Sequence, residues 1–230
     1  MLFILTGKTQ TGKTRWLVRL IEDLKAAGVV CHGVLTPGVW QETAGEDGAV
    51  AYEKLGIEAV LLPEGKRLVF AQRRDLVEPA GSFDGSWQSA QANLSWAIPD
   101  EALCAVNQHF DALCVEQGGK EDCCSCHPER SEGSLINVAG SFVYPSNGLL
   151  IVDELGPLEL KRNGGFTSAV KLLELGPTTQ YQHALIVVRK DLLDRASSRF
   201  IESWGEPTVI TADNESRNMI LHSFKALLSE

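Results

Sequence analysis

Two stretches far apart in the chain carry residue types that work together on phosphate. The first, Gly7-Lys8-Thr9-Gln10-Thr11-Gly12-Lys13-Thr14, follows the apolar run Leu2 to Leu5 and precedes an amphipathic helical pattern, the strand, glycine-rich loop and helix order of a P-loop. Glycines in such a loop let amide N–H groups turn toward an anion, and the first helical turn adds the positive end of its dipole. Lys13 would reach the β and γ phosphates as a mobile point charge, and the Thr14 hydroxyl would help hold Mg²⁺. The expected nucleotide-binding segment is therefore Gly7 to Thr14 with Arg15 behind it, although the position of Arg15 on the helix points it toward the surface. The second stretch, Asp153-Glu154, closes the apolar run Leu149-Leu150-Ile151-Val152, and open parallel sheets bind ligands at the C-terminal ends of their strands. An acid pair there reads as a Walker B element. Asp153 would hold Mg²⁺ through a water, and Glu154 would orient and deprotonate a water attacking the γ phosphate. Two solvated carboxylates ending a strand are the bland alternative, which the upstream P-loop disfavours.

Hydrolysis also needs positive charge to meet the charge that develops on the γ phosphate. Arg189 is the leading candidate, because it ends the apolar run Leu185 to Val188 and would lie on the same rim of a parallel sheet as Glu154. A solvated arginine at a strand end is the competing reading. Lys190, Arg195 and Arg199 are weaker candidates, the last two on a helix that can turn them outward. Trp40, Phe83 and Trp87 have the chemistry to stack on a base, and burial in the core explains them equally well.

These groups need a scaffold that brings them together, and the periodicities describe one. Trp16, Leu17, Leu20, Ile21 and Leu24 recur at helical spacing behind the P-loop, and Val29 to Leu35 reads as a second strand. From Thr36 to about Ala71 short β-prone runs (Ala49 to Tyr52, Ala59 to Leu62, Leu68 to Phe70) alternate with turns such as Pro63-Glu64-Gly65-Lys66, which predicts an antiparallel extension at one sheet edge. Arg73 to Ile98 carries few periodic signals. Pro99-Asp100 opens a helix with Leu103, Val106, Phe110 and Leu113 on one face. After the strand ending at Val152, helix Phe166 to Leu175, strand Leu185 to Val188, helix Leu192 to Trp204, strand Thr208 to Ile210 and helix Asn214 to Leu228 alternate to the end. That alternation predicts an α/β three-layer domain with a mainly parallel sheet.

A complete strand and a long excursion separate the P-loop from the acid pair, and Glu154 directly follows Asp153. This order resembles the RecA-like and AAA-like branch of P-loop proteins, with an extra central strand and a catalytic glutamate. The phrase Ile151-Val152-Asp153-Glu154-Leu155-Gly156-Pro157-Leu158-Glu159-Leu160, with the P-loop and the segment Gly33-Val34-Leu35-Thr36-Pro37, resembles the nucleoside-triphosphatase family first described in thermophiles. Its human members are called cancer-related nucleoside-triphosphatases. The order of the later elements runs parallel to that family, so the resemblance spans nearly the whole chain. It implies a RecA-like domain that slowly hydrolyses ATP, GTP and other NTPs with Mg²⁺ and little base selectivity. The chain departs from the family in the bulkier, more polar P-loop interior Lys8 to Thr11, and in the segment Gly118 to Asn147, an apparent insertion before the Walker B strand.

Composition narrows the alternatives. With 230 residues and 44% hydrophobic content the chain can bury a sizeable core, and residues 1–230 are expected to form one P-loop domain with a flexible insertion at 118–147. A net charge of −9 argues against nucleic acid as a partner, since that affinity rests on clustered cations. No apolar run approaches the roughly 18 residues of a membrane span, so no membrane association and a cytoplasmic location are expected. Six cysteines without a secretory signal read as reduced thiols. Within the insertion, Cys123, Cys124, Cys126 and His127 offer zinc-type ligands, but four ligands within five residues would strain the backbone around one ion. The polar run after His127 resembles a translated dispersed repeat and predicts a mobile surface loop. The chain is thus expected to hydrolyse nucleoside 5'-triphosphates to diphosphate and phosphate. A small-molecule or nucleoside kinase and a nucleotide-gated protein-binding module are the competing classes, and no protein partner is indicated.

Overall fold

The alternation of side chains along the first strand sets the layering. In β1 (Leu2–Leu5), Leu2 and Ile4 join one apolar cluster while Phe3 and Leu5 join another, because successive side chains of a strand point to opposite faces. A sheet apolar on both faces must be covered on both sides. The computed structural model describes residues 1–8, 11–44, 49–115 and 147–227.

After β1 come α1 (Lys13–Ala26), β2 (Val30–Leu35), β3 (Gly38–Ala44), β4 (Val50–Leu62), β5 (Lys66–Arg73), the one-turn helices α2 (Arg74–Val77) and α3 (Gln88–Gln91), β6 (Trp96–Ala97) and α4 (Asp100–Val115). The second half runs β7 (Gly148–Leu155), α5 (Pro157–Arg162), α6 (Thr167–Leu175), β8 (Tyr181–Val188), a 3₁₀ turn at Lys190–Leu192, α7 (Leu193–Trp204), β9 (Thr208–Ile210) and α8 (Asn214–Leu227).

Five strands form a parallel core in the order β9-β1-β8-β7-β2, and β4, β5 and β6 extend it antiparallel beyond β2. The fold is therefore mixed α/β with a mainly parallel sheet. β8 lies between β1, which leads into the P-loop, and β7, which carries the acid pair. This is the inserted central strand anticipated from the distance between the two motifs. On one face Leu17, Leu20, Ile21 and Leu24 of α1 pack with Ile220 and Phe224 of α8 over Phe3 and Leu5. On the other, Leu103, Val106 and Phe110 of α4, Leu172 and Leu173 of α6, and Phe200 of α7 pack over Leu2, Ile4 and Val152. Each such fully buried Leu or Phe contributes about 1.5–3 kcal/mol of apolar transfer free energy.

The antiparallel extension differs from its sequence reading in detail. The short β-prone runs belong to two long strands, β4 and β5, joined at the expected Pro63–Gly65 turn. Gly38–Ala44, not among the expected β-prone runs, is a strand hydrogen-bonded to β4. It was missed because it is mostly solvated and polar (Gln41, Glu42, Thr43), so it lacks the apolar alternation that marks a half-buried strand. Among the described residues Cys31, Cys104 and Cys114 form no disulfide. The segment 118–146, with Cys123, Cys124, Cys126 and His127, lies outside the described residues, as does Leu228; Asn147 is buried and leads straight into β7. None of the helices among the described residues is long and apolar enough to cross a membrane.

The apolar layer around β1 also holds a titratable group. The His183 ring sits edge-on to Phe224 at 4.9 Å and 6.2 Å from Phe3, with neither ring nitrogen hydrogen-bonded. Burial, then the nearby amino terminus, pushes its pKa from 6.5 down to about 4. Between those values the folded chain keeps the ring neutral while the unfolded chain binds a proton, so this contribution to stability is present above pH 6.5 and is lost as pH falls toward 4. Denaturant unfolding of the parent is therefore expected to weaken more steeply over that interval than unfolding of His183→Leu. Equal slopes would remove His183 from the account.

Candidate active site

β1 delivers the chain to the sheet rim and α1 carries it away, so the loop between them must reverse tightly. Gly12 does this in the left-handed region, with φ 85°, as the N-cap of α1, where a Cβ would impose strain. Within the loop the Thr11 hydroxyl donates to the Lys8 carbonyl at 2.9 Å. The Lys13 ammonium donates to the carbonyls of Lys8 at 2.7 Å and Gly7 at 3.3 Å, so the charge is held inside the loop's own curve. Arg15 is exposed, as its helical position predicts, and its guanidinium folds back toward Gly12. Thr9 and Gln10 lie outside the described residues.

The acid pair sits at an irregularity of β7. Val152 pairs with Ile186 and Leu155 with Val188, so β7 carries one more residue than β8 across this interval. Such a bulge re-aims a side chain, and it falls on Asp153 and Glu154. Glu154 has φ 78° and is exposed, an uncommon conformation for a residue with a side chain and one that persists only where the surroundings impose it. Asp153, by contrast, is 1% exposed. Its Oδ2 accepts the backbone N–H of Thr36 at 2.9 Å, its carbonyl accepts the Thr36 hydroxyl at 3.2 Å, and the Thr14 side chain lies near enough to its carboxyl to favour the charged form. Burial pushes the Asp153 pKa up, the Thr36 N–H pulls it down, Glu154 raises it, and the Thr36 and Thr14 hydroxyls lower it; the net direction is upward. A buried carboxylate and a threonine hydroxyl are hard oxygen donors suited to Mg²⁺.

Thr14, just after the glycine-rich loop, and Asp153, distant in sequence, therefore come close enough to interact. Register places the other candidate on the same rim: Leu5 pairs with Val187, and Arg189 follows Val188 at the end of β8. Arg189 is exposed and opens the 3₁₀ turn, with Lys190 exposed beside it. The structure removes two weaker candidates. Arg195 donates to the Leu160 carbonyl at 2.8 Å, and Arg199 donates to the Glu159 carbonyl at 3.1 Å and to the Glu174 carboxylate at 2.8 Å, so Arg195 ties α7 to α5 and Arg199 ties it to both α5 and α6. Trp40 is 51% exposed, which excludes core burial for it. Phe83 and Trp87 pack edge to face at 5.8 Å, with the Arg74 guanidinium 4.6 Å from the Phe83 ring, and form a surface cluster of their own.

Two residues that sequence reasoning did not assign take part in the geometry. Glu159, in the Gly-Pro-Leu-Glu-Leu phrase, is buried, and its carboxylate accepts the N–H groups of Gly156 at 2.8 Å and Phe166 at 3.0 Å. Burial raises its pKa, and those N–H groups lower it. Gly165 leaves room for that carboxylate: its φ is 65°, and a Cβ there would stand 1.8 Å from Glu159 Oε1. Lys54, on β4, is half-buried with its ammonium 4.9 Å from the Trp96 ring; burial lowers its pKa, while Glu154 and then Asp153 raise it. A cavity of about 640 Å³ opens elsewhere, between α4, α5 and α6, beside Asn107, Glu159 and Arg199, and neither the P-loop nor the acid pair lines it. Among the described residues no group of His, Cys, Asp and Glu is arranged to hold a metal by itself. The hydroxyl-plus-carboxylate pair of Thr14 and Asp153 is a different kind of site.

No protein-family model matches the sequence, and no curated protein matches it. Solved structures share its fold. The solution structure of a human cancer-related nucleoside triphosphatase aligns with a TM-score of 0.52 at 17% identity, over 99% of this chain and 96% of that one. The crystal structure of THEP1 from the hyperthermophile Aquifex aeolicus aligns with a TM-score of 0.56 at 15% identity, over 100% of each chain. At such identities the likeness establishes the fold, and on that level it bears out the resemblance read in the acid-pair phrase.

The Glu159 cap holds the turn that follows Glu154, so removing it should cost stability. Glu159→Ala strips two charge-assisted acceptors from buried N–H groups, and urea unfolding is expected to show a loss of about 3 kcal/mol. Glu159→Gln should lose clearly less, since it keeps one acceptor oxygen. A loss below about 1 kcal/mol for the alanine variant would mean the cap is not holding the turn.

Proposed function

We propose that this chain is a Mg²⁺-dependent nucleoside triphosphatase that converts ATP, GTP and other NTPs to the diphosphate and inorganic phosphate. The observation that carries this reading is the buried Asp153 carboxyl, bonded to Thr36 and close to the Thr14 side chain that follows the glycine-rich loop. The fold shared with the human cancer-related nucleoside triphosphatase supports it. The chain's acidic net charge fits a cytoplasmic enzyme with no nucleic-acid partner.

In this reading the amide N–H groups of Gly7 to Thr14 and the start of α1 cradle the phosphate tail, with Arg15 at the margin of the segment. The Lys13 ammonium leaves the loop carbonyls for the β and γ phosphate oxygens, exchanging neutral acceptors for charged ones. Thr14 and Asp153 hold Mg²⁺, which when bound neutralises charge on the phosphate oxygens. Glu154, aimed outward by the bulge, orients a water and takes its proton as the water oxygen bonds to the γ phosphorus. The bond from that phosphorus to the bridging oxygen breaks, and the diphosphate departs with the electron pair. Arg189, exposed at the end of the neighbouring strand, meets charge on the terminal phosphoryl group.

Glu154→Gln is expected to lower phosphate release roughly 10²–10⁴-fold while NTP binding survives, because only the proton acceptor is lost. Lys13→Ala should abolish binding and turnover together, and chelating Mg²⁺ should stop turnover of ATP, GTP, CTP and UTP alike. Phosphate release by Glu154→Gln at the parent rate would refute its role. Transfer of label from γ-labelled ATP onto an added nucleoside, in place of release to water, would favour the kinase reading.

A further inference from the structure

The hairpin β3–β4 brings to the site a cation that none of the sequence motifs contains. Thr36 grips Asp153, and Gly38 lies two residues further along, within about 7 Å for an extended chain. The Lys54 stem runs against Gly38: a Cβ at that glycine would be 2.6 Å from Lys54 Cε and 2.8 Å from Trp40 Nε1. Trp40 and Lys54 are cross-strand partners, so both side chains leave the same face of the hairpin. The ammonium is steadied by the Trp96 ring and lies within electrostatic reach of Glu154 and Asp153. None of the ion pairs among the described residues engages it. Neighbouring Glu53, by contrast, pairs with Arg73.

A half-buried lysine that no ion pair among the described residues engages, held on an aromatic ring and packed against the segment that leads from Thr36 and Asp153, is poised to meet an anion arriving at this rim. We propose that Lys54 is a second cation of the active site, delivered by the hairpin, which binds the terminal phosphate and makes the site prefer a triphosphate to a diphosphate. Lys13 reaches the phosphates from beneath the loop, and Lys54 approaches from the β2–β4 side, opposite Arg189 on the β8 side. A diphosphate leaves nothing at the position Lys54 addresses, so only a triphosphate repays drawing this ammonium away from its ring. This inference rests on the proposed NTPase reading.

The test compares affinities for a non-hydrolysable ATP analogue and for ADP, both with Mg²⁺, in the parent, Lys54→Gln, Lys54→Arg and Lys13→Ala. Lys54→Gln is expected to weaken the triphosphate analogue 10- to 100-fold, leave ADP within twofold and lower kcat at least tenfold, with Lys54→Arg recovering most of each loss. A ratio of triphosphate to diphosphate affinity unchanged in Lys54→Gln overturns the inference. A measurement on the unaltered chain covers a variant that fails to fold: acylation of the Lys54 amine, read by peptide mass, should be slowed by the triphosphate analogue and not by ADP, and equal labelling under both overturns the inference as well. Lys13→Ala separates the two levels. Nucleotide binding by that variant at parent affinity would defeat the site reading itself, whereas its loss alongside an unaltered Lys54→Gln would defeat only the role of Lys54.

Discussion

A carboxylate at 1% exposure is expensive unless something compensates it, and the active-site geometry follows from how Asp153 is compensated. The Thr36 amide and hydroxyl fasten it to the end of β2, and the Thr14 side chain, at the first turn of α1, lies close to its carboxyl. Three chain segments thereby meet at one point of the sheet rim. Burial without a full positive partner leaves the group raised in pKa, a state that an arriving cation would relieve.

The phrase after Asp153 is the machinery that holds the next residue in place. β7 gains a residue at the pair, which forces Glu154 to a positive φ and turns it outward. Such a conformation reverts unless the chain on both sides is fixed. Upstream it is fixed by the buried strand, with Val152 paired to Ile186. Downstream Gly156 and Pro157 start α5, Glu159 folds back to cap Gly156 and reaches Phe166, and Arg195 and Arg199 bind the carbonyls of Leu160 and Glu159. A run that reads in sequence as a family signature is in space a clamp around one strained glutamate.

The sequence displayed the parallel core plainly, because buried strands and amphipathic helices follow periods that solvent cannot disguise. The P-loop and the acid pair were legible for the same reason, since each sits directly after an apolar run. The hairpin was legible only in part: the runs Ala49 to Tyr52 and Ala59 to Leu62 mark the two ends of β4, whereas β3 and the facing half of β4, with Trp40, Val50 and Tyr52 exposed, lack a one-sided apolar pattern. Lys54 was hidden with them, as a lone lysine in a polar stretch carries no signal until its strand is paired. Thr36 was likewise silent: one threonine after a strand acquires meaning only from the buried acid it meets. Arg195 and Arg199, read as weaker candidates, bond backbone carbonyls and, for Arg199, the Glu174 carboxylate. Spacing along a chain reports elements well and reports contacts between elements poorly.

The central claim is that Thr14 and Asp153 act as one unit on the metal–nucleotide complex, and a double-mutant cycle on Mg²⁺–NTP affinity addresses it most directly. Thr14→Val, Asp153→Asn and the combined variant would be titrated with the same non-hydrolysable analogue. The account predicts strong non-additivity, the combined variant binding only slightly worse than Asp153→Asn, with a coupling energy of about 1–3 kcal/mol. Two losses that simply add would contradict it, because residues that do not share a bound ion have no reason to depend on each other.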